Sequence, residues 1–227
     1  MMIWLKRSTL LVLAVTVLAL VAGPASALNL RSPQVVFNYA PLQGYLNIVD
    51  PGINVATQQV DAQSWSTSIT GNADFTLMLK TGLGQGDAVG VYNAAVGPPL
   101  FQVFPPAAVA GWFAQMHFAA GNLLVTLFDQ NGIIQGQTFY PGVSASNFGF
   151  YIQGPCGTWF SQDSRNGGAP QMLTYSSLGN PGDFWLAWEE CAYNANSTFD
   201  GVVINVQSIH PTPAKTVTWG SVKSTYR

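Results

Sequence analysis

Few side chains in this 227-residue chain could do covalent or acid-base chemistry. Cys156 and Cys191 are its only cysteines, and His117 and His210 its only histidines. In an oxidising compartment two cysteines default to a disulfide. The loop so closed would hold about 35 residues and contribute roughly 3 to 4 kcal/mol in the chain-entropy account. Two buried free thiols are the alternative. Metal ligation is disfavoured, since neither cysteine has a second cysteine or a histidine at ligand spacing. Glu189 and Glu190 are neighbours at the end of Phe184-Trp185-Leu186-Ala187-Trp188, so strand alternation sends them to opposite faces. A glycosidase needs two carboxyls roughly 5 to 10 Å apart across a cleft, and a partner such as Asp183 or Asp200 would have to be recruited. Neither histidine belongs to a His-x-x-x-His or nucleophile-elbow pattern. The chain therefore reads as non-catalytic.

Aromatic side chains offer a different chemistry. Seven tryptophans and eight tyrosines exceed what a core obviously needs, and Trp159, Trp185 and Tyr193 fall in or near polar, Gly-rich segments. An aromatic face ringed by Asn, Gln and Asp suits a sugar, whose axial hydrogens are apolar and whose hydroxyls need hydrogen bonds. These three are the candidate glycan-binding residues, with core packing as their competing role.

The elements that must position them read as strands. Helical periodicity is nearly absent between residues 28 and 210, and short apolar runs alternate with Gly, Asn, Asp and Pro turns. In Trp112 to Phe118 the apolar residues occupy one face, while Gln115 and His117 occupy the other. Gly121-Asn122 and Asp129-Gln130-Asn131-Gly132 read as turns into Leu123 to Phe128 and Ile133 to Tyr140, giving a three-stranded meander. Further strands are expected at Gln34 to Asn38, Gly44 to Val49, Ala73 to Lys80, Ala88 to Tyr92, Leu100 to Phe104, Phe148 to Gln153, Gln171 to Tyr175, Phe184 to Glu190 and Val202 to Ser208. A dozen short strands predict an all-β fold, a single β-sandwich or jelly-roll-like domain of antiparallel strands; a closed barrel is the alternative.

Export is the expectation at the N-terminus. Lys6 and Arg7 precede an apolar run from Thr9 to Ala22, and Ala25-Ser26-Ala27 forms a small-residue cleavage site. Residues 1–27 thus read as a bacterial signal peptide cut after Ala27. The run is short for a bilayer span, which needs about 20 apolar residues. Residues 28–210 form the domain and 211–227 a tail, in which Trp219, Val222 and Tyr226 could share one helical face. Removing the leader leaves Arg31, Lys80, Arg165, Lys215, Lys223 and Arg227 against ten carboxylates. An acidic chain with scattered cations is a poor partner for nucleic acid, or for an anionic membrane surface once the leader is cut.

A resemblance runs from Gly71 to Ser208. It is carried by Asp74-Phe75-Thr76, Val89-Gly90-Val91-Tyr92-Asn93, Phe148-Gly149-Phe150-Tyr151, Phe160-Ser161-Gln162-Asp163-Ser164, Phe184 to Glu190 and Phe199 to Val206. In that order these fragments resemble the extracellular domains of bacterial exosortase-sorted (PEP-CTERM) proteins, many of them domains of unknown function. The resemblance implies a weak calcium site at Asp183, Glu189, Glu190 and Asp200. The family's acidic segment is matched by Trp188-Glu189-Glu190, but Thr198-Phe199-Asp200-Gly201 supplies one carboxylate where two are usual. The Pro-Glu-Pro motif, membrane helix and basic tail of such proteins are not found after Ser208. The expected product is a secreted or periplasmic, non-catalytic module associated with carbohydrate or exopolysaccharide. A self-associating cell-surface or extracellular-matrix structural protein is the alternative, suggested by low charge and many β edges.

Overall fold

Alternating apolar side chains build two antiparallel sheets in the computed structural model, which describes residues 28–68 and 71–212. The expected cleavage site after Ala27 and the tail residues Trp219, Val222 and Tyr226 lie outside the described residues. In chain order the strands are β1 (Ser64–Ser66), β2 (Asn72–Lys80), β3 (Ala88–Asn93), β4 (Gly97–Phe104), β5 (Phe113–Ala119), β6 (Asn122–Phe128), β7 (Ile134–Pro141), β8 (Phe148–Gly154), β9 (Gly157–Phe160), β10 (Met172–Ser176), β11 (Phe184–Trp188), β12 (Val202–Gln207) and β13 (His210–Thr212). One sheet runs β10-β11-β12-β2-β5-β6-β7; the other runs β13-β1-β8-β3-β4, with β9 also on β8. The fold is an all-β sandwich.

The main core lies between the sheets, where every second residue of a strand points inward. Phe75, Leu77, Met116, Phe118, Leu186, Trp188 and Ile204 of the seven-stranded sheet meet Trp65, Val89, Val91, Phe101, Phe148 and Phe150 of the other. The expected meander is present as β5-β6-β7. Its first turn centres on Ala120 and Gly121, both at positive φ, the geometry that matches strand twist in a two-residue hairpin loop.

Two expected strands are not strands. Residues 34–38 are irregular, and Ala40–Val49 is an α-helix, α1. Pro41 sits in its first turn, where a missing N–H costs nothing, and Leu42 and Leu46, four apart, are its buried residues. The helix ends at Asp50, before Pro51. With Val35, Phe37, Ile53 and Val55 it forms a second core against Leu173, Tyr175, Trp185, Ala187 and Val203. This cover makes β10, β11 and β12 buried on both faces. The irregular segment is pinned by the buried Gln59, whose side chain accepts from the Val35 N–H at 2.7 Å and donates to the carbonyls of Val35 and Val55 at 2.9 and 3.1 Å.

The outer face of the six-stranded sheet carries a third cluster, Tyr92, Ala94 and Tyr151. Tyr92 lies opposite Gly149, and Tyr151 opposite Gly90. A Cβ at either glycine would press into the facing ring, so the absent side chain is what lets each tyrosine lie across the neighbouring strand. At the C-terminal end, β13 pairs with β1 through Thr212, two residues past the expected domain limit at 210.

Candidate functional site

Local tethering of loops, rather than strand pairing, forms a concavity beside the strands. It is an open groove of about 1140 Å³ between the Arg31–Val36 segment, the approach to β1, the loop before β8 and the turn after β9. Its floor is a ladder of polar groups. Arg31 is ion-paired with Asp163. The Asp163 N–H donates to Gln63 Oε1 at 3.0 Å, and Gln63 Nε2 donates to Asp163 Oδ2 at 3.4 Å and to Asp61 Oδ1 at 3.3 Å. Burial pushes the Asp163 carboxyl above its usual range, Arg31 opposes that, and Asp61 adds to it. Asp163 Oδ1 is buried without a hydrogen-bond partner. A carboxyl with one oxygen ion-paired and the other enclosed fixes its neighbours in place and is poorly presented to a substrate.

Of the aromatic candidates, Tyr193 lines this groove. Its hydroxyl donates to the Val36 carbonyl at 2.7 Å, and its ring leans on Phe199 with centroids 6.0 Å apart. The ring is therefore held at the groove wall, partly exposed. On the other side lies Asn147, whose backbone is tied by the Ser144 hydroxyl and the Ala94 N–H. Arg31, Gln63, Asn147 and Asp163 escaped attention as site residues at the sequence level, because their joining depends on contacts as much as 132 positions apart.

The other two aromatic candidates are placed elsewhere. Trp185 is 5% exposed beneath α1 and its Nε1–H donates to Asp50 Oδ2 at 2.8 Å. It is a core residue, not a sugar platform, because its outward strand face is covered. Trp159 is half-buried against the main core, donating to the Glu190 carbonyl at 2.9 Å. It does not line the groove.

The four carboxylates of the expected calcium site do not all come together: burial pushes the Glu190 carboxyl up, and Glu189 and Asp200 are near enough for their charges to add to that, but Asp183 lies apart. Asp183 precedes β11 while Glu189 follows it, and at about 3.3 Å per residue the two are separated by roughly 20 Å. Glu189 accepts the N–H groups of Thr198 and Phe199 at 3.0 and 3.4 Å. Glu190 lies against Gly201, which has no room for a Cβ there. Among the described residues, no group of three or more His, Cys, Asp or Glu side chains is arranged to hold a metal ion. What holds this end of the molecule is covalent: Cys156 is bonded to Cys191, with Cα atoms 5.1 Å apart. The bond ties the β8-β9 turn of one sheet to the segment after β11 of the other.

Near this staple, Asp87 is 1% exposed, and its Oδ2 has no hydrogen-bond partner. It fits because Gly154 lacks a Cβ that would overlap it. Burial pushes its carboxyl up to about 6, with Lys80 opposing. The unfolded value is about 3.9, so the native state binds this proton more tightly. Its contribution favours folding at low pH and is lost as pH rises from about 4 through about 6. Burial also raises Glu190, in the same direction. The Asp87 contribution to the melting temperature is expected to fall between about pH 4 and pH 6, and Asp87→Asn should flatten that slope and raise the neutral-pH value. Parallel profiles for wild type and variant in a calorimetric pH series would refute the assignment to Asp87.

No family model, curated protein or solved structure matches the chain. Among the described residues, no helix is long and apolar enough to cross a membrane.

Proposed function

We propose that this protein is a secreted bacterial carbohydrate-binding module, associated with exopolysaccharide and without catalytic activity. The observation that carries this reading is the groove: a restrained tyrosine ring on one wall, amide side chains within reach, and a charged floor that is already paired. A sugar ring stacks its apolar face on an aromatic surface, and its hydroxyls exchange hydrogen bonds with amides and carboxylates. The groove is open, as a polymer chain requires. The disulfide fits an oxidising, exported setting, in keeping with the leader expected at residues 1–27.

Affinity electrophoresis and calorimetry against neutral and acidic bacterial polysaccharides test this. Tyr193→Ala is expected to weaken binding by about tenfold, the scale of one aromatic contact. Asn147→Ala should weaken it less, and Trp159→Phe should leave it unchanged. Binding that survives both groove substitutions, or no binding to any glycan, would sink the reading. The second reading is a self-associating surface or matrix protein, and the strand β7 is the observation that favours it.

A further inference from the structure

Among the described residues the two sheets have five margins, and four are covered or blunted in ways that discourage strand addition. At β9 the Asn166 side chain accepts from the N–H of Phe160 and donates to its carbonyl. The β10 margin is covered by Val60, which makes an antiparallel bridge to Thr174. The β13 margin is only three residues long and contains Pro211. The β4 margin opens with Pro98 and Pro99, residues with no N–H to offer a new strand. The fifth margin, β7, is interrupted only near its start, where Gln135 bulges out of the pairing with Leu127 and Phe128; from Gly136 to Pro141 its register is regular. It is eight residues long, and its only proline is its last residue.

β7 is also uncharged along its whole length, and no Asp, Glu, Lys or Arg occurs between Asn131 and Gln162. Its pairing to β6 satisfies one side of the backbone; the N–H and C=O groups of alternate residues point away from the sheet. Its outer face is apolar and open: the bulge brings Ile134 to the same face as Phe139, and they are 57% and 62% exposed, with Ile133 beside them at 60%. On the inner face Tyr140 packs against Phe101. Apolar side chains flanking unpaired backbone groups on an uncharged margin are the features of a strand-pairing surface.

We infer that β7 pairs antiparallel with β7 of a second copy, joining two seven-stranded sheets into one continuous sheet across a two-fold axis. The occupant follows from the charge pattern and the geometry. An uncharged strand gives no electrostatic purchase to an acidic or basic segment, and it removes the like-charge repulsion that normally keeps identical edges apart. A two-fold axis normal to the sheet preserves which face each side chain occupies, so a residue rather than a gap must lie on the axis. Gly136, Gln137 and Thr138 occupy the middle of the strand, and all three are small or uncharged enough to meet their own copies. With the other margins blunted, each copy has one such edge. The assembly closes as an isologous dimer and does not propagate. The dimer is the form in which the alternative reading of self-association is realised, and it does not depend on what the groove binds.

Sedimentation of the mature protein over a concentration series reaching the high micromolar range gives the first readout, with a monomer-dimer equilibrium expected. For an axis at Gly136, Gln137 or Thr138 alike, Gln135→Lys with Gln137→Lys brings at least one lysine within about 5 to 8 Å of a lysine of the second copy, which should weaken the dimer by roughly tenfold or more while leaving the melting temperature of the monomer unchanged. Single cysteines at Gly136→Cys, Gln137→Cys and Thr138→Cys locate the axis: one of them should oxidise to a covalent dimer far faster than Ile48→Cys on α1. A wild type that stays monomeric, a dimer indifferent to the lysines, preferential cross-linking at position 48, or growth beyond the dimer would each overturn the inference.

Discussion

Asp50→Ala is expected to destabilise the protein by about 2 to 4 kcal/mol, because it orphans several donors at once around a buried carboxylate. Asp50 is buried and accepts from the Leu178 N–H at 3.1 Å, the Gly179 N–H at 3.0 Å and Trp185 Nε1–H at 2.8 Å. These bonds fasten the end of α1 to the β10-β11 connection and to the tryptophan under the helix. Without the carboxylate, the indole nitrogen lies in the second core with no acceptor. Burial alone would push the Asp50 carboxyl up, but hydrogen bonds from Ser177, Trp185, Gly179 and Leu178 outweigh it and hold it below the usual carboxylate range. The sign is opposite to that of Asp87. Its stabilisation is present above the ordinary carboxylate pKa near 4 and is lost as pH falls through the lower folded value. Urea unfolding at neutral pH, repeated down an acid series, measures both effects. A loss below about 1 kcal/mol, the level of one ordinary hydrogen bond, would show that water replaces the carboxylate and that the cluster is not the anchor of α1.

Removing the disulfide should have an effect of similar size through a different state of the chain. The bond spans 35 positions, and Cys156→Ser with Cys191→Ser is expected to cost about 3 kcal/mol, chiefly by enlarging the unfolded ensemble. The native consequence is local. Trp159 gives its indole N–H to the Glu190 carbonyl beside the bond, so the β8-β9 turn keeps one tie to the other sheet after reduction. Hydrogen exchange in the double variant should therefore rise first in residues 154–160 and 189–192, ahead of the central strands. Unfolding midpoints that are the same with and without reductant would refute a stabilising role for the bond.

These two anchors differ in how far they can be read from the chain alone. The disulfide follows from composition: two cysteines, with the leader expected at residues 1–27, leave one pairing to expect. The Asp50 cluster is invisible in sequence, because its members lie 128 to 135 positions apart and Asp50-Pro51-Gly52 reads only as a turn. Trp185 was misplaced for a related reason. Phe184-Trp185-Leu186-Ala187-Trp188 is a continuous apolar run, the pattern of a strand buried on both faces, and reading it as half exposed overlooked that signal. A covering element was required, and α1 supplies it. Its own pattern was there to be found in Leu42, Tyr45, Leu46 and Val49, preceded by Pro41, but the neighbouring strand pattern and Gly44 obscured it.

Alternation of apolar residues with Gly and Asn turns determined, from the sequence alone, that this chain forms many antiparallel strands, that β5, β6 and β7 make a meander, and that one covalent cross-link joins distant segments. Period-two burial is a local property, and so it survives without knowledge of the partners. Tertiary structure alone decided that Asp183 stays apart from Glu189, Glu190 and Asp200, that Tyr193 lines one groove with Gln63, Asn147 and Asp163, and that four sheet margins are covered or blunted while β7 is left uncharged and exposed beyond its bulge. Those outcomes depend on which strands become neighbours and which loops cover them, and strand order is set by the packing of the whole chain.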